Sequence, residues 1–435
     1  MKTRLLICAL ALMALLTLSA CESKENHSGV PAETAEPTPA TATPTATEEP
    51  TETPATTTPV EVAAEVEWSS PLIKFMMECA YMGNNGVISP PYDTSMTDES
   101  YAEFLDLFYK TVDEKDLCIT ESFLNNIRAI TMYQPFSDDS CTVKFEYYNE
   151  HQGSTEYFIA FPLWFTVETL EDFRNMPNLE ELTLRYTTFT DLTPLESLSK
   201  LKTFCIGSVW YGERGKSVFT DLTPLTRCPE LRSLKLDCTN IEDLGALSQL
   251  SNLTWLQLYN INGQDMAFLS GMSSLEELVL ERGENVDLDA LVKYAPPSMT
   301  SLRIGSCGIK DITAISKLTQ LEELYLGGNL ISDISPLRNL TNLKKLCLTY
   351  NQISDISPLA GLFNLVELEL NRNQIEDISA LAGMKNLVVL NLDDNNITDL
   401  SLLYRLEKLE TLYLYDPEHD KFVLEWLRWK GKTLN

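Results

Sequence analysis

The sequence predicts an α/β solenoid: a right-handed superhelix of short repeats, with a parallel concave sheet and an N-terminal α+β capping region. A 22-residue unit recurs four times in succession from Leu321 to Lys408. Each copy contains an L-x-L pair followed three residues later by asparagine, at Asn329, Asn351, Asn373 and Asn395. One copy cannot bury its apolar stripe alone, so the copies must stack.

The residues of one repeat predict its local structure. The L-x-L alternation indicates a short strand with both leucines in the core and the flanking residues on the outer face. The asparagine is expected to hydrogen-bond the unpaired backbone groups of the following turn, and stacked copies would form a ladder. A short helical turn should follow, opened by Pro336 or Pro358 and capped by Ser335 or Ser357.

These residues resemble the 22-residue leucine-rich repeats of bacterial internalins, which carry the same N-x-I-x-D-I-x-P-L run. The resemblance covers about residues 179–415 and predicts eleven strands. Outside the four regular copies, the strand pairs are Leu182/Leu184, Phe204/Ile206, Leu234/Leu236, Leu256/Leu258, Leu278/Leu280, Leu302/Ile304 and Leu412/Leu414. Internalins bind host receptors, but this sequence shows neither their immunoglobulin-like segment nor their sortase motif.

The first twenty residues have the pattern of a signal peptide, with Lys2 and Arg4 before an apolar run. The stretch Leu18-Ser19-Ala20-Cys21 is similar to the bacterial lipobox. That resemblance implies an acylated (for example palmitoylated) Cys21 as the first mature residue, and a lipid-anchored, extracytoplasmic protein on a bacterial membrane. The alternative is an ordinary signal peptide in which the cysteine is incidental.

Residues 21–66 are predicted to form a disordered tether. Between Glu22 and Val66 the sequence is rich in Thr, Pro, Ala and Glu, has no aromatic residue, and carries nine acidic residues against Lys24, a net charge of −8. The whole chain carries a net charge of −30, which disfavours nucleic acid as a partner. The lipid on Cys21 is the only membrane contact that the sequence predicts.

Residues 67–161 are predicted to cap the N-terminal end of the solenoid. Helices are expected over 71–82 and 98–112, and a third helical piece over 116–133 should end in a strand at Ile130. A β-hairpin is expected from residues 142–148 and 155–161. Beyond it, the apolar positions of a first turn are Val167, Leu170, Phe173, Met176 and Leu179.

The repeats are predicted to occupy residues 162–415 and a C-terminal cap residues 416–435. Phe422, Trp426 and Trp429 have helical spacing and would cover the last turn; the alternative is a membrane-binding helix. An eight-residue insertion around residues 207–217 is expected to form a surface loop that carries Trp210 and Tyr211. Two extra residues fall near Tyr294.

No sequence motif indicates catalysis or a cofactor, so the protein is predicted to be a monomeric non-enzyme without cofactor or metal. The chain has three histidines and no H-E-x-x-H or G-x-S-x-G motif. Gly215-Lys216-Ser217 lacks the earlier glycine of a phosphate-binding loop, because position 210 is Trp. Cys228 and Cys307 fall on buried repeat positions, and Cys307 replaces a ladder asparagine.

Ten aspartates occupy one equivalent position in successive turns: Asp191, Asp221, Asp243, Asp265, Asp287, Asp311, Asp333, Asp355, Asp377 and Asp399. Stacked carboxylates can hold Ca²⁺, but each ion needs six to eight oxygens. The favoured interpretation is that each aspartate accepts backbone N–H bonds in the convex turn.

The concave face is predicted to bind a protein or a surface polymer. Large amphipathic side chains, including Trp255, Gln257 and Tyr259, are expected to face solvent there. The candidate binding residues are Trp210, Tyr211, Trp255, Tyr259, Arg303 and Tyr325, with Arg303 pairing an acidic group of the partner. Two alternatives stay open: an enzymatic or envelope-modifying activity in residues 67–161 with the repeats as targeting module, and a structural envelope protein without a discrete ligand.

Overall fold

The computed structural model describes residues 121–133, 140–149, 153–162, 169–185, 187–207, 219–237 and 243–414, together with Ser69, Val167, Ile241, Phe422 and Trp426. Several sequence predictions lie outside these residues. They are the signal peptide with Cys21, the tether, the helices before residue 121, and the inserted loop with Trp210 and Tyr211.

A single sheet of fourteen strands runs through the described residues, numbered along the chain from β1 Ile127–Tyr133, β2 Ser140–Asn149 and β3 Gly153–Pro162 to β14 Thr411–Tyr413. Across the sheet the order is β14 to β4 in descending number, then β1, β2 and β3. The eleven predicted repeat strands are confirmed, and β1 adds a twelfth parallel strand by pairing with β4. The eleven are β4 Glu181–Arg185, β5 Thr203–Gly207, β6 Ser233–Asp237, β7 Trp255–Tyr259, β8 Glu277–Glu281, β9 Ser301–Gly305, β10 Glu323–Tyr325, β11 Lys345–Cys347, β12 Glu367–Glu369, β13 Val389–Asn391 and β14 Thr411–Tyr413.

One continuous apolar core lies behind this sheet. Neighbouring strands pair in register, so that Leu324, Leu346 and Leu368 stack directly on one another. Their side chains are almost fully buried. Burying a leucine stabilises a fold by roughly 1.5–3 kcal/mol, and each repeat places several such side chains against both neighbours. Stability therefore depends on stacking, as expected for a solenoid.

The asparagine after each strand bonds backbone groups of its own and the preceding repeat. The Oδ1 atom of Asn373 accepts the Ile353 N–H at 3.0 Å, while its Nδ2 donates to Leu348 O and Leu370 O at 2.9 Å each. Asn329, Asn351 and Asn395 make the equivalent bonds. These amides hold the turn backbone where strand pairing has ended.

Cys307 occupies the equivalent position one repeat before Asn329 and partly reproduces its bonds. Its Sγ accepts the Gly283 N–H at 3.3 Å and lies 3.2 Å from Gly305 O. Cys228 is also buried, and burial raises the pKa of both thiols to about 11. The prediction that these two cysteines fill buried repeat positions is confirmed.

The residue before each ladder position has a left-handed backbone conformation. Tyr350, Arg372 and Asp394 have φ of 54°, 59° and 50°. At the same place Gly328 has φ of 70°, and a Cβ there would meet Ser306 Oγ at 2.8 Å. Non-glycine residues seldom adopt this conformation, so the hydrogen bonds of the following asparagine are needed to stabilise the strained turn.

The convex side is lined by 3-10 helices, and the predicted role of the ten aspartates is confirmed. Each accepts a backbone N–H at the start of the helix that follows it. The 3-10 helices are Glu171–Asn175, Thr193–Ser197, Thr223–Arg227, Gly245–Gln249, Met266–Gly271, Thr313–Lys317, Ser335–Asn339, Ser357–Gly361, Ser379–Gly383 and Ser401–Arg405.

The prediction that Ser335 and Ser357 cap these helices is wrong. Both serines are the first residue of their helix, and neither helix has a side-chain cap bond from its N-cap residue. Instead the Ser335 N–H donates to Asp333 Oδ1, and the Ser357 N–H donates to Asp355 Oδ1, each at 2.8 Å. A carboxylate two residues earlier reaches the free N–H, so the serine side chain is not needed. The prolines do stand at the predicted helix starts.

The two extra residues near Tyr294 replace a 3-10 helix with the α-helix α2, Leu288–Tyr294. Its N-cap is Asp287, whose side chain accepts the Ala290 N–H three residues on, instead of two as in the regular repeats. The longer repeat thus keeps the same capping residue and the same strand register.

The N-terminal part of the sheet consists of the short helix Glu121–Leu124 (α1), β1 Ile127–Tyr133, β2 Ser140–Asn149 and β3 Gly153–Pro162. The hairpin of β2 and β3 is confirmed. The predicted order of a helical piece followed by a strand at Ile130 is also found, but the strand β1 begins earlier, at Ile127, and pairs with both β2 and β4. Buried Ile127 and Ile130 belong to the common core, so tertiary pairing overrides local helix preference.

Beyond β14, two helical residues are described, Phe422 and Trp426. Trp426 is 2% exposed and belongs to the core of the repeats, and Phe422 contacts Tyr404 edge to face at 5.3 Å between ring centroids. Both therefore pack on the end of the solenoid. Within the described part of the chain, no helix is long and apolar enough to cross a membrane.

Acid should destabilise the solenoid through its convex aspartates. Threonine hydroxyl bonds lower the pKa of Asp191, Asp221 and Asp311, and serine backbone bonds lower the pKa of Asp333, Asp355 and Asp399. A carboxylate with a lowered folded-state pKa contributes stability that is fully present above the unfolded pKa of about 4. This stability is lost as the pH falls from that value through the folded-state pKa. We therefore expect the melting temperature to fall when the pH is lowered below about 4.

The control is a triple variant, Asp311→Asn, Asp333→Asn and Asp355→Asn. Asparagine accepts the same backbone bond but does not titrate, so the variant should melt like the parent at pH 7 and lose less stability in acid. Burial raises the pKa of Glu281 and Glu367, which works in the opposite direction for these two groups. An acid loss of equal size in both proteins would contradict the assignment.

Candidate functional site

The concave face presents up to three outward side chains per strand, arranged in rows by the parallel register. The first row contains Trp255, Glu277, Ser301 and Glu323, and the second contains Gln257, Val279, Arg303 and Tyr325. The third row contains Tyr259, Glu281 and Gly305. Neighbours within a row are about 4.8 Å apart, so each side chain reaches those of the adjacent strands.

Trp255 and Tyr259 lie on β7 and are both half-buried. Gln257 lies between them, and its Nε2 donates to the Tyr259 hydroxyl at 2.9 Å. From the preceding strand, Lys235 places its Nζ 5.1 Å from the centre of the Tyr259 ring. These contacts fix the orientation of Tyr259 before any partner arrives.

The expectation that Gln257 faces solvent is wrong, because the residue is 1% exposed. Trp255 and Tyr259, its outward neighbours on the same strand, are much larger. Period-two alternation predicts which face of the sheet a side chain lies on, but it does not predict how much of that side chain is exposed to solvent. Trp255 and Tyr259 also expose less of their surface than Tyr413, which is 38% exposed at the C-terminal end of the same face.

Arg303 and Tyr325 form a second cluster on β9 and β10. The Arg303 guanidinium lies 3.8 Å from the centre of the Tyr325 ring, and its Nε contacts Glu277 Oε1 at 2.8 Å. Its Nη2 lies 3.9 Å from Glu323 Oε2, and the Tyr325 hydroxyl donates to the same carboxylate at 3.3 Å. Burial raises the pKa of Tyr325, so the hydroxyl stays protonated as a donor.

The sequence predicts that Arg303 pairs with an acidic group of a partner. In the structure its carboxylate contacts come from Glu277 and Glu323 of this chain. The reason is geometric, since both glutamates occupy the row beside Arg303 on the two neighbouring strands. Arg303 therefore orients Tyr325 and the two glutamates. Its positive charge is already balanced by these carboxylates before a partner binds.

Carboxylates outnumber cations on the described concave face. The carboxylates are Glu181, Asp237, Glu277, Glu281, Glu323, Glu367, Glu369 and Asp393, and the cations are Lys235, Arg303 and Lys345. Their concentration on one rigid sheet creates a negative potential that attracts positively charged groups.

The sequence predicts one patch of Trp255, Tyr259, Arg303 and Tyr325. The structure places them on three strands of one face, and β8 separates the strand of Trp255 and Tyr259 from the other two. The predicted neighbours Trp210 and Tyr211 lie outside the described residues. The sequence-based patch omitted Glu281 and Gly305, which adjoin each other in the third row. A glycine at an outward strand position beside an acid was the available signal, because it removes a side chain from the binding face.

No group of three or more His, Cys, Asp or Glu in the described part of the chain has the arrangement of a metal site. Cys205, Cys228, Cys307 and Cys347 are buried. Cys347 lies on the concave side, where its Sγ is 3.1 Å from Glu369 Oε2, and burial raises its pKa to about 12. Such a thiol stays protonated and is a weak nucleophile.

Leucine-rich-repeat family models match residues 297–339 and 341–383 as two copies, and a further leucine-rich-repeat model matches residues 383–403. No curated protein matches the chain. An internalin from Listeria monocytogenes is 27% identical over 58% of this chain and 80% of that one, with a TM-score of 0.44.

Two other solved structures are more distant. A leucine-rich-repeat protein from Leptospira interrogans is 19% identical over 57% of this chain and 69% of that chain, with a TM-score of 0.41. The ectodomain of a plant receptor kinase from Arabidopsis thaliana, in complex with Casparian strip integrity factor 2, is 17% identical over 57% of this chain and 34% of that chain, with a TM-score of 0.39. The family-model matches identify leucine-rich repeats within residues 297–403, and the parallel strands on both sides of them extend the same solenoid fold.

Proposed function

We propose that this protein is a non-catalytic binding protein of the bacterial envelope, which holds a protein or surface-polymer partner on its concave sheet. The observation that supports this proposal most directly is the cluster of oriented side chains around Tyr259 and Tyr325 in the middle of that sheet. Tyr259 is fixed by Gln257 and Lys235, and Tyr325 is fixed by Arg303 and Glu323. Large side chains that are already ordered lose little entropy on binding, which is how interface anchors gain affinity.

The place of the N-terminal region in the sheet supports a capping role for residues 67–161. β1 supplies Ile127 and Ile130 to the same core as the repeats, and β1 is hydrogen-bonded to β4 along the sheet. A segment integrated in this way depends on the repeats for its stability. Expression of residues 67–161 alone should therefore give an unfolded chain, whereas an independent enzymatic domain would fold.

The direct test of binding is a pull-down with the soluble repeat protein, residues 67–435, from bacterial envelope and host extracts. A retained partner should be lost in a variant that combines Trp255→Ala and Tyr259→Ala on the concave face. The matched control replaces Phe363, which is 56% exposed outside the strands, with alanine. Equal retention by the parent and the concave variant would contradict the proposed surface.

Anchoring at Cys21 is the second part of the proposal. Replacement of Cys21 with serine removes the thiol that receives the lipid, so the protein should leave the membrane fraction and appear in the medium or as an uncleaved precursor. Fractionation of cells that produce the parent or the Cys21→Ser form measures this shift. Replacement of the neighbouring Ser23 with alanine is the control and should leave the protein in the membrane fraction. A Cys21→Ser protein that stays there as a cleaved form would rule out the lipid anchor.

A further inference from the structure

An apolar patch interrupts the polar flank that precedes the last strands of the sheet. Its members are Phe363, Val366 and Val388, of which Phe363 is 56% and Val366 40% exposed. The Phe363 ring lies against the next repeat, where a Cβ on Gly383 would be 2.6 Å from Phe363 Cε1. Apolar side chains that are exposed side by side and rimmed by polar residues are typical of a surface that another molecule covers.

The residues directly before strands β10 to β14 form one row across five repeats. In sequence they are Glu322, Lys344, Val366, Val388 and Glu410. The backbone N–H of each donates to the carbonyl oxygen of the one before it, at 2.7 Å for Lys344 and 2.8 Å for the other three. The row thus has an apolar centre with a cation on one side and a carboxylate on the other. Because the outer repeats carry charges at this position, the repeat itself does not require the two valines.

A groove with a volume of about 460 Å³ follows this row and is lined by both valines. Asn342, Asn364 and Asn386 line it as well, one from each of three successive repeats. Each asparagine donates its Nδ2 to a carbonyl oxygen of the preceding repeat, at 2.9–3.1 Å. The groove is therefore lined by side chains that are already ordered and lose little entropy in a contact.

The charges of this flank balance, although the whole chain carries −30. Its lysines are Lys344, Lys385 and Lys408, and its glutamates are Glu322, Glu407 and Glu410. Two copies of so acidic a protein repel each other over most of their surface, but a locally neutral flank removes this repulsion. A strongly charged partner finds no complementary potential here, whereas a second copy of the chain does not need one.

The row is complementary to itself when two copies meet in opposite directions. A two-fold axis in the plane of contact, perpendicular to the solenoid axis, passes between the repeats of Val366 and Val388. It places Val366 opposite Val388 of the second copy, and Lys344 opposite Glu410. The symmetry repeats each pair, so two apolar contacts at the centre lie between two pairs of opposite charge.

The neighbouring rows pair in the same way about this axis. Asn364 lies opposite Asn386, and an amide can both donate to and accept from another amide. Phe363 lies opposite Lys385, whose ammonium can bind the face of the ring. Among the described residues of these rows, the axis brings no two like charges together.

We propose that this flank is a contact between two copies of the chain, arranged in opposite directions about that axis. The row covers four strand spacings, about 19 Å, so the contact is smaller than a standard interface and association in solution is weak. Two copies anchored in one membrane, as proposed for Cys21, reach a higher effective concentration. The contact uses residues outside the strands, so it adds self-association to the proposed binding function and replaces the monomer that the sequence predicts.

Sedimentation velocity of residues 22–435, over an about hundred-fold range of protein concentration that reaches the high micromolar range, measures the association. The parent should change from monomer to dimer within this range. Val366→Ser should raise the Kd of the dimer at least about ten-fold and leave the melting temperature unchanged, since this side chain is 40% exposed. The matched control is Leu330→Ser, which changes an equally exposed residue beyond the other end of the strands and should leave the Kd unchanged.

Charge reversal tests the orientation of the two copies. Lys344→Glu places a carboxylate opposite Glu410 and should weaken the dimer at least about ten-fold. The double variant Lys344→Glu with Glu410→Lys restores opposite charges and should return the Kd to within about three-fold of the parent value. Lys310→Glu reverses an exposed lysine outside the flank and should have little effect.

A parent that stays monomeric at every concentration overturns the proposal. So does a dimer that survives Val366→Ser, or a double variant as weak as Lys344→Glu alone, because the copies then meet through another surface or in another direction. Phe363→Ala should weaken the dimer while it retains the partner of the pull-down. The Trp255→Ala and Tyr259→Ala variant should lose that partner and keep the dimer, so the two proposals fail separately.

Discussion

Replacement of Asn373 with alanine should lower the free energy of unfolding by about 3 kcal/mol. Asn373 is 9% exposed, and its amide bonds the Ile353 N–H, Leu348 O and Leu370 O. Alanine leaves these backbone groups buried without partners, and each unsatisfied group costs roughly 1–3 kcal/mol before water enters the gap. Urea denaturation followed by circular dichroism measures the loss.

The matched control is Asn364→Ala. Asn364 also donates its Nδ2 to a backbone carbonyl, Thr341 O at 2.9 Å, but this bond is exposed to solvent. Water can replace it, so the control should lose less than about 1 kcal/mol. Hydrogen exchange adds a local measurement, since the Ile353 amide should lose protection only in Asn373→Ala. Equal stability of the two variants would show that ladder position 373 is hydrated.

The strands could be predicted because their signal is local and repeated. Leu346 and Leu348 alternate with outward residues, and the same alternation recurs in every turn, so one correct repeat locates its neighbours. The same periodicity predicted the buried asparagines. The strand β1 was only partly predicted, because Ile127 and Ala129 fit a helix locally and become strand by pairing with β2 and β4.

The details of the site could not be predicted for a different reason. Periodicity assigns a side chain to a face, but it does not say whether a long side chain lies across its neighbours or extends into solvent. Arg303 lies on Tyr325 and contacts Glu277, and Gln257 is buried between two larger residues. Both outcomes depend on how neighbouring side chains pack against one another.

Replacement of Trp255 with alanine should weaken the binding of a concave-face partner by at least about 2 kcal/mol, or roughly thirty-fold in Kd. Trp255 is half-buried at the first outward position of β7, next to Glu277 on β8. A partner that covers the middle of the sheet would bury the rest of its ring. Tryptophan anchors of this kind carry much of the affinity of protein interfaces. Isothermal titration with the partner recovered by pull-down gives the value.

The stability of the Trp255→Ala protein should change little, because Trp255 lies outside the continuous core of the repeats. Tyr413→Ala is the control, since Tyr413 is an exposed aromatic on the same face seven strands away. Loss of affinity at Trp255 with full affinity at Tyr413 places the contact at β7. If Trp255→Ala binds normally and Tyr413→Ala does not, the partner occupies the C-terminal end of the sheet, where the oriented cluster around Tyr259 has no part in binding.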